Sequence, residues 1–225
     1  MKKYFLHFIF IVIVVGDLVG VALHESQIDQ FFKPLIMLWI GGYFLLHARK
    51  IDREVVLMAS MAFLFSWIGD VLLMFGERSL YFILGIGGFL VAQLFYVFLF
   101  LRTITLSGKK PFLKKKPFFL LPYLIYGISI YIVLFPHLDG VLWIAVLVYM
   151  TAILSASAMA LNRYGNGHPV SFSLVYAGSL LFVLSDSLIA IDRFLLALPY
   201  VGIFIMATYI AAQYLILRGI LMQYK

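Results

Sequence analysis

Three aspartates lie inside long apolar runs, where an ionisable side chain is costly and by default indicates a functional site. They are Asp17, Asp70 and Asp186, and each follows a glycine or serine and precedes an apolar residue or serine. When two carboxyl groups share a low-dielectric site, their surroundings make them differ in acidity. One can then stay protonated and donate a proton, while the other is an ionised carboxylate. Asp70 and Asp186 are therefore candidates for acid–base chemistry. The alternative is that each aspartate only bonds to serine, tyrosine or backbone groups and ties helices together.

Lys33 is a candidate of another kind, because it directly precedes Pro34. Proline favours the first position of a helix, so the pair predicts a helix N-terminus with a cation beside it, which suits an anion. The alternative is a lysine that extends its charge to the membrane interface. Polar residues inside other apolar runs could orient a substrate or could simply pack: Tyr96, Tyr149, Tyr209, Gln213 and Ser185.

The histidines do not predict a metal site. All five lie near the ends of apolar runs or between them, and the chain has no cysteine. A catalytic zinc site needs three protein ligands at one place, so we expect neither a metal nor a cofactor. The sequence also lacks a Gly-x-Ser-x-Gly motif, which disfavours a serine hydrolase.

The composition indicates that these residues are held by helices in a lipid bilayer. Of the 225 residues 64% are hydrophobic and only 12% are charged, whereas a soluble domain carries roughly 25% charged residues. We predict an all-α polytopic bundle, a single transmembrane domain over residues 1–225, with eight spans. The spans are 4–21, 32–47, 55–75, 80–101, 117–135, 139–161, 170–190 and 197–217. We interpret the first as a retained span rather than a cleaved signal, because Asp17 interrupts it.

Positive charge predicts the orientation. Fourteen of the 17 Lys and Arg residues fall on one side of the predicted spans, with six of them in 102–116. This bias predicts a multi-pass protein of the cell membrane with both termini in the cytoplasm. The net charge of +7 therefore reflects topology rather than binding to nucleic acid.

The three aspartates fall at similar depths. Each lies 13 to 16 residues into a span that runs outward, roughly 20–24 Å along its helix. Spans 3 and 7 share the small-residue–Asp pattern, and spans 4 and 8 share Ala-Gln, at Ala92-Gln93 and Ala212-Gln213. A shift of four spans is compatible with two parallel four-helix halves.

Several stretches resemble the YhhN-like membrane proteins, the family that includes the lysoplasmalogenases. They are FKPL at 32–35, FSWIGDVLL at 65–73 and AGSLLFVLSDSL at 177–188, with Tyr209 and Gln213 following. The resemblance runs from about residue 30 to residue 217, and the two Asp motifs are its specific part. One departure is Gln93, where the family often has histidine.

The resemblance implies hydrolysis of the vinyl ether bond of a lysoplasmalogen, which gives a fatty aldehyde and a glycerophospho-headgroup. Acid cleaves such a bond by protonating the β-carbon, and water then attacks the oxocarbenium ion, as in two-carboxylate glycosidases. On this reading Asp70 and Asp186 are catalytic, with either one as the acid, and no cofactor or metal is required. The partners are a lysophospholipid substrate and membrane lipid. The predicted substrate-binding residues are Lys33, Asp17, Tyr96, Tyr149, Tyr209, Gln213 and Ser185.

Two other functions remain open from the residues alone. A transporter could use the buried aspartates to couple protons or bind cations, although no proline interrupts the middle of a predicted span. A membrane scaffold without chemistry would keep the aspartates apart, each satisfied locally.

Overall fold

The computed structural model describes residues 2–76 and 78–224, and in these ranges the regular structure is helical. The α-helices follow one another with short connections. They are α1 (Lys2–Ala22), α2 (Ser26–His47), α3 (Arg53–Leu73), α4 (Ser79–Ser107), α5 (Phe112–Lys115), α6 (Leu121–Leu134), α7 (Val141–Asn162), α8 (Pro169–Phe194) and α9 (Val201–Gln223). Two 3₁₀ turns, Pro117–Leu120 and Phe135–His137, extend α6 at both ends.

Seven helical segments of the described chain are long and apolar enough to cross a membrane. They are α1 from Tyr4 onward, α3, α4, Pro117–His137, α7, α8 and α9. The predicted polytopic α-helical bundle is confirmed. The remaining predicted span, 32–47, corresponds to α2, which has 22 residues but is not among the seven. Its first half carries Asp29 and Lys33, and it packs between α1 and α3.

The prediction that Lys33 and Pro34 begin a helix is wrong. The helix α2 begins at Ser26, and Pro34 lies inside it. The backbone N–H groups of Ile28 and Asp29 bond to the carbonyl of Glu25 and start the helix there. Proline removes only one backbone donor, and packing against α1 and α3 outweighs that loss. Lys33 is therefore not at a helix N-terminus, and the anion site predicted on that ground is absent.

The helix α4 is longer than the predicted span 80–101. It continues to Ser107 and ends at Gly108, whose φ of 67° is the left-handed conformation that favours glycine at a helix end. Arg102 therefore lies within the helix, where its Nε is 3.4 Å from Asp52 and 3.0 Å from Glu54. The hydrogen bond from Arg102 lowers the pKa of Asp52. This contact joins α4 to the start of α3.

The loops predicted to share one side do meet at one end of the bundle. Arg163, which is 1% exposed, donates hydrogen bonds to Thr103 Oγ1 on α4 and Ser171 Oγ on α8. Ser171 in turn donates to the carbonyl of Gly219 on α9. Burial lowers the pKa of Arg163 to about 10, so the side chain stays charged at neutral pH. Four helices are thereby tied together at this end, while their direction in the membrane stays a prediction.

Glycines allow two helix pairs to approach closely. A Cβ on Gly88 of α4 would lie 3.0 Å from the backbone nitrogen of Gly69 on α3. In the second pair, a Cβ on Gly178 of α8 would lie 2.8 Å from the carbonyl oxygen of Ala212 on α9. Such contacts between small residues are how membrane helices pack without a hydrophobic driving force. The relation between two parallel halves stays a prediction.

We expect Gly178→Ala to destabilise the protein by about 1–3 kcal/mol, because the backbone of α9 must move to admit the methyl group. The matched control is Gly87→Ala, since no atom lies within 4 Å of its added Cβ and alanine favours the helix. Thermal unfolding in detergent measures both variants. Equal melting temperatures for the two would contradict the close α8–α9 contact.

Candidate functional site

Asp186 of α8 lies on the wall of a cleft and is held by Tyr149 of α7. The hydroxyl group of Tyr149 donates a hydrogen bond to Asp186 Oδ2. Both side chains are half-buried, and the surface that Asp186 retains faces the cleft. One carboxyl oxygen is thus fixed by tyrosine, and the carboxyl group belongs to the lining of the cleft.

The cleft between α4, α6, α7 and α8 has a volume of about 80 Å³. Its lining is mostly apolar and includes Phe82 and Phe89 of α4 and Ile130 of α6. The polar lining residues besides Asp186 and Tyr149 are Tyr126 and Ser187, whose hydroxyl oxygens are 2.5 Å apart. An apolar cleft with a few converging polar groups is the usual form of a small-molecule site.

Asp70 of α3 belongs to a second, fully packed set of hydrogen bonds. Asp70 is 3% exposed and accepts a hydrogen bond of 2.7 Å from the hydroxyl group of Tyr209 on α9. Gln213, one turn further along α9, donates to Ser66 Oγ at 3.0 Å and to the Tyr209 hydroxyl at 3.4 Å. Its Oε1 accepts a hydrogen bond of 2.5 Å from Tyr96. These hydrogen bonds thus fix the orientation of every side chain in the set.

Phe89 lies between Asp70 and the cleft. Its ring lines the cleft and is 5.8 Å from the ring of Tyr209, centroid to centroid. It also packs against Gly69, where an added Cβ would come within 2.6 Å of the ring. Asp70 does not line the cleft, but Asp186 is near enough to act on it electrostatically. The two aspartates therefore occupy separate hydrogen-bonded pairs on either side of one aromatic ring.

Asp17 and Lys33 lie behind Asp70, away from the cleft. Asp17 is fully buried, and no described residue donates a hydrogen bond to its carboxyl oxygens. Lys33 and Asp29 are its charged neighbours, and the charge of Lys33 reaches Asp70 as well. Lys33 thus acts on these acidic groups through its charge.

Sequence reasoning named Tyr149, Tyr209 and Gln213 without their partners, and it placed Ser185 among the substrate-binding residues. In the structure Ser185 is buried and donates to the carbonyl of Ile205 on α9, so its hydroxyl group faces a helix contact. Tyr126 and Ser187 of the cleft were not among the predicted site residues. Ser187 directly follows the aspartate motif, which was a usable signal, whereas nothing in the sequence distinguished Tyr126 from other interfacial tyrosines.

Gln93 is a further residue whose role the sequence left open. It is 2% exposed on α4 and lies beside Tyr149, and its Nε2 donates to no described acceptor. A buried amide without an acceptor is costly. Gln93 lies next to Tyr149, the residue that holds Asp186, and is therefore close to the cleft.

Comparisons with known proteins identify the family of the chain. The chain is 32% identical over 191 residues to lysoplasmalogenase TMEM86A of Bos taurus, a match that covers 81% of this chain and 73% of that protein. It is 30% identical to lysoplasmalogenase TMEM86A of Homo sapiens over the same shares of both chains. No solved structure matches it significantly. The model of the YhhN family matches residues 28–220, a range that holds both Asp70 and Asp186, and the chain therefore belongs to the YhhN family.

Proposed function

We propose that this membrane protein hydrolyses the vinyl ether bond of lysoplasmalogen-type lysophospholipids to a fatty aldehyde and a glycerophospho-headgroup. The relatives named lysoplasmalogenase support this substrate class. The observation that carries the proposal is the position of Asp186, a carboxyl group on the wall of a mostly apolar cleft inside the bundle. A single-chain lipid has an apolar chain and a polar end, which match the apolar lining and the few polar groups of the cleft.

In the first step, Asp186 in its protonated form transfers a proton to the β-carbon of the vinyl ether. The C=C electron pair forms the new C–H bond, and the positive charge moves to the carbon–oxygen pair as an oxocarbenium ion. Tyr149 donates to Oδ2 and orients the carboxyl group on the wall of the cleft. Proton transfer from a positioned acid typically contributes 10²–10⁴-fold to a rate.

In the second step, water adds to the oxocarbenium carbon and loses a proton to the Asp186 carboxylate. The resulting hemiacetal collapses to the aldehyde and the free hydroxyl of the glycerol, which completes hydrolysis and restores the acid. In this proposal Asp70 acts in its ionised form and stabilises the cation from behind Phe89, because charges act over longer distances where water is excluded. Tyr209 and Gln213 hold Asp70 in place.

The remaining predicted substrate residues act at greater distance in this proposal. Tyr96 orients Gln213 through a 2.5 Å hydrogen bond, and Ser185 fixes α8 against α9. Lys33 and Asp17 adjust the electrostatic field at Asp70 from α1 and α2. A direct contact of these four residues with substrate stays a prediction.

The test is incubation of the purified protein with a lysoplasmalogen and, separately, with the saturated alkyl ether lysolipid of the same headgroup. We expect fatty aldehyde only from the vinyl ether, because the saturated ether has no carbon that accepts the proton. Absence of aldehyde from folded protein in a membrane-like environment, or equal cleavage of both lipids, would contradict the proposal.

A further inference from the structure

We infer that the substrate lies along one face of α8, with its phosphate at Arg193, its ether bond at Asp186 and its hydrocarbon chain in a groove between α6 and α8. This inference rests on the proposed function and adds how the substrate is bound. It assigns a phosphate site to Arg193 and a chain site to a groove that the mechanism does not otherwise use.

One face of α8 lines both cavities in an unbroken stripe. The stripe follows the alternating spacing of three and four residues that places side chains on one side of a helix: Tyr176, Leu180, Val183, Ser187, Ala190 and Phe194. The 18 steps along the helix from Tyr176 to Phe194 extend over about 27 Å, which is the scale of a single-chain lipid. Asp186 lies beside the stripe, between its two halves.

Arg193 does not itself line the cleft but places a cation beside Phe82, which does. Its guanidinium carbon is 4.8 Å from the centroid of the Phe82 ring, and Phe82 lines the cleft. Its Nη2 donates to the carbonyl of Gly76 at 3.2 Å, which fixes the group, and the side chain is exposed. Guanidinium groups suit phosphate because their planar donors match its oxygens. Arg193 is seven residues, or about 10 Å, beyond Asp186 on the same side of α8.

The groove in the other direction has a volume of about 540 Å³. Its lining includes Tyr123 of α6 and Leu180 of α8, and it shares Tyr126, Leu154 and Val183 with the cleft. The two cavities are therefore neighbours, and the hydrogen bond between Tyr126 and Ser187 crosses their junction.

The helix α6 is suited to admit a chain because little of it is buried. Only Gly127 and Leu134 of its residues are fully packed, so α6 can move away from α8 at a small cost in packing. The occupant we assign is the single alkenyl chain of the substrate, because the groove is continuous with the cavity that holds Asp186. A two-chain membrane phospholipid is the competing occupant.

The phosphate site is tested with Arg193→Gln on two substrates, a lysoplasmalogen and the alkenylglycerol that lacks the phosphate. We expect kcat/KM to fall about 10- to 100-fold for the lysoplasmalogen, as for loss of a charge-assisted hydrogen bond, and to stay unchanged for the alkenylglycerol. Arg78→Gln is the matched control, since Arg78 is also exposed, lies on the same side of the predicted spans and precedes α4. An equal effect of Arg193→Gln on both substrates, or no effect on either, would overturn the assignment.

The chain site is tested with Leu180→Trp, which fills the groove from α8. We expect at least a tenfold loss of kcat/KM for a long alkenyl chain and no loss for a short one that ends before Leu180. The control is Ile128→Trp, because Ile128 is 59% exposed on α6 and does not line either cavity. Equal turnover of the long chain by Leu180→Trp and the unchanged protein would show that the chain lies elsewhere.

A binding readout separates this inference from the proposed function. A saturated ether lysolipid with a photoreactive group at its chain end cannot be hydrolysed, and we expect it to label α6 and α8 at Tyr123 or Leu180. Labelling confined to outward residues such as Ile125, or equal labelling by a photoreactive diacyl phospholipid, would overturn the inference. A protein that releases no aldehyde but is labelled in the groove would refute the proposed hydrolysis while retaining the lysolipid site.

Discussion

Replacing Asp186 with asparagine is expected to lower the rate of aldehyde release from a lysoplasmalogen by about 10²–10⁴-fold. Asparagine has nearly the same shape, and its amide oxygen can still accept the hydrogen bond from Tyr149. It cannot, however, transfer a proton to carbon. The loss should therefore appear in kcat rather than in folding, which size-exclusion chromatography and thermal unfolding would measure alongside the aldehyde assay.

Two controls make the result specific. Asp139→Asn removes the same charge from an exposed residue of the loop before α7, and full activity is expected. Tyr149→Phe keeps the carboxyl group but removes its partner, and a smaller loss is expected. Full activity of a folded Asp186→Asn protein would exclude Asp186 as the acid.

Replacing Asp70 with asparagine is expected to slow aldehyde release by about 10–100-fold, equivalent to about 1.4–2.7 kcal/mol of barrier. The effect is smaller than for Asp186 because Phe89 separates Asp70 from the cleft, so Asp70 acts through its charge. The amide can still accept the hydrogen bond of Tyr209, which should preserve the packing of α3 against α9.

Tyr209→Phe is the companion to this variant, because it leaves the charge of Asp70 but removes its hydrogen bond. A charge effect predicts that Asp70→Asn loses more activity than Tyr209→Phe does. The reverse order, or full activity of Asp70→Asn, would mean that Asp186 works without a second carboxylate. The two-acid mechanism would then be wrong, although a hydrolase with one acid would remain.

The sequence predicted the bundle well because the signal for a span is the sum over many apolar residues. It predicted the ends of the helices less well. Pro34 suggested the start of α2, yet the helix begins at Ser26. Arg102 suggested the end of α4, yet the helix continues to Ser107 and the arginine pairs with Asp52 and Glu54. In both cases tertiary contacts outweighed the local preference of a single residue.

The sequence indicated most of the polar residues of the candidate site, but it did not indicate which of them contact one another. Asp70, Asp186 and three tyrosines are rare polar groups in apolar runs, and composition alone reveals them. Which tyrosine bonds which aspartate depends on the rotation of each helix, and a helix that is apolar all round carries no signal for its rotation. For the same reason, the sequence could not predict that Phe89 lies between the aspartates or that α6 is loosely packed.

The most direct test of Asp186 as the proton donor is hydrolysis of a lysoplasmalogen in D₂O, with the aldehyde reduced at once to the alcohol so that it cannot exchange. The carboxyl proton equilibrates with solvent, so we predict one deuterium on the carbon next to the former aldehyde carbon. The rate of its incorporation should fall with Asp186→Asn and not with Asp139→Asn. A product without deuterium on that carbon, or incorporation at an unchanged rate in Asp186→Asn, would contradict proton transfer by Asp186.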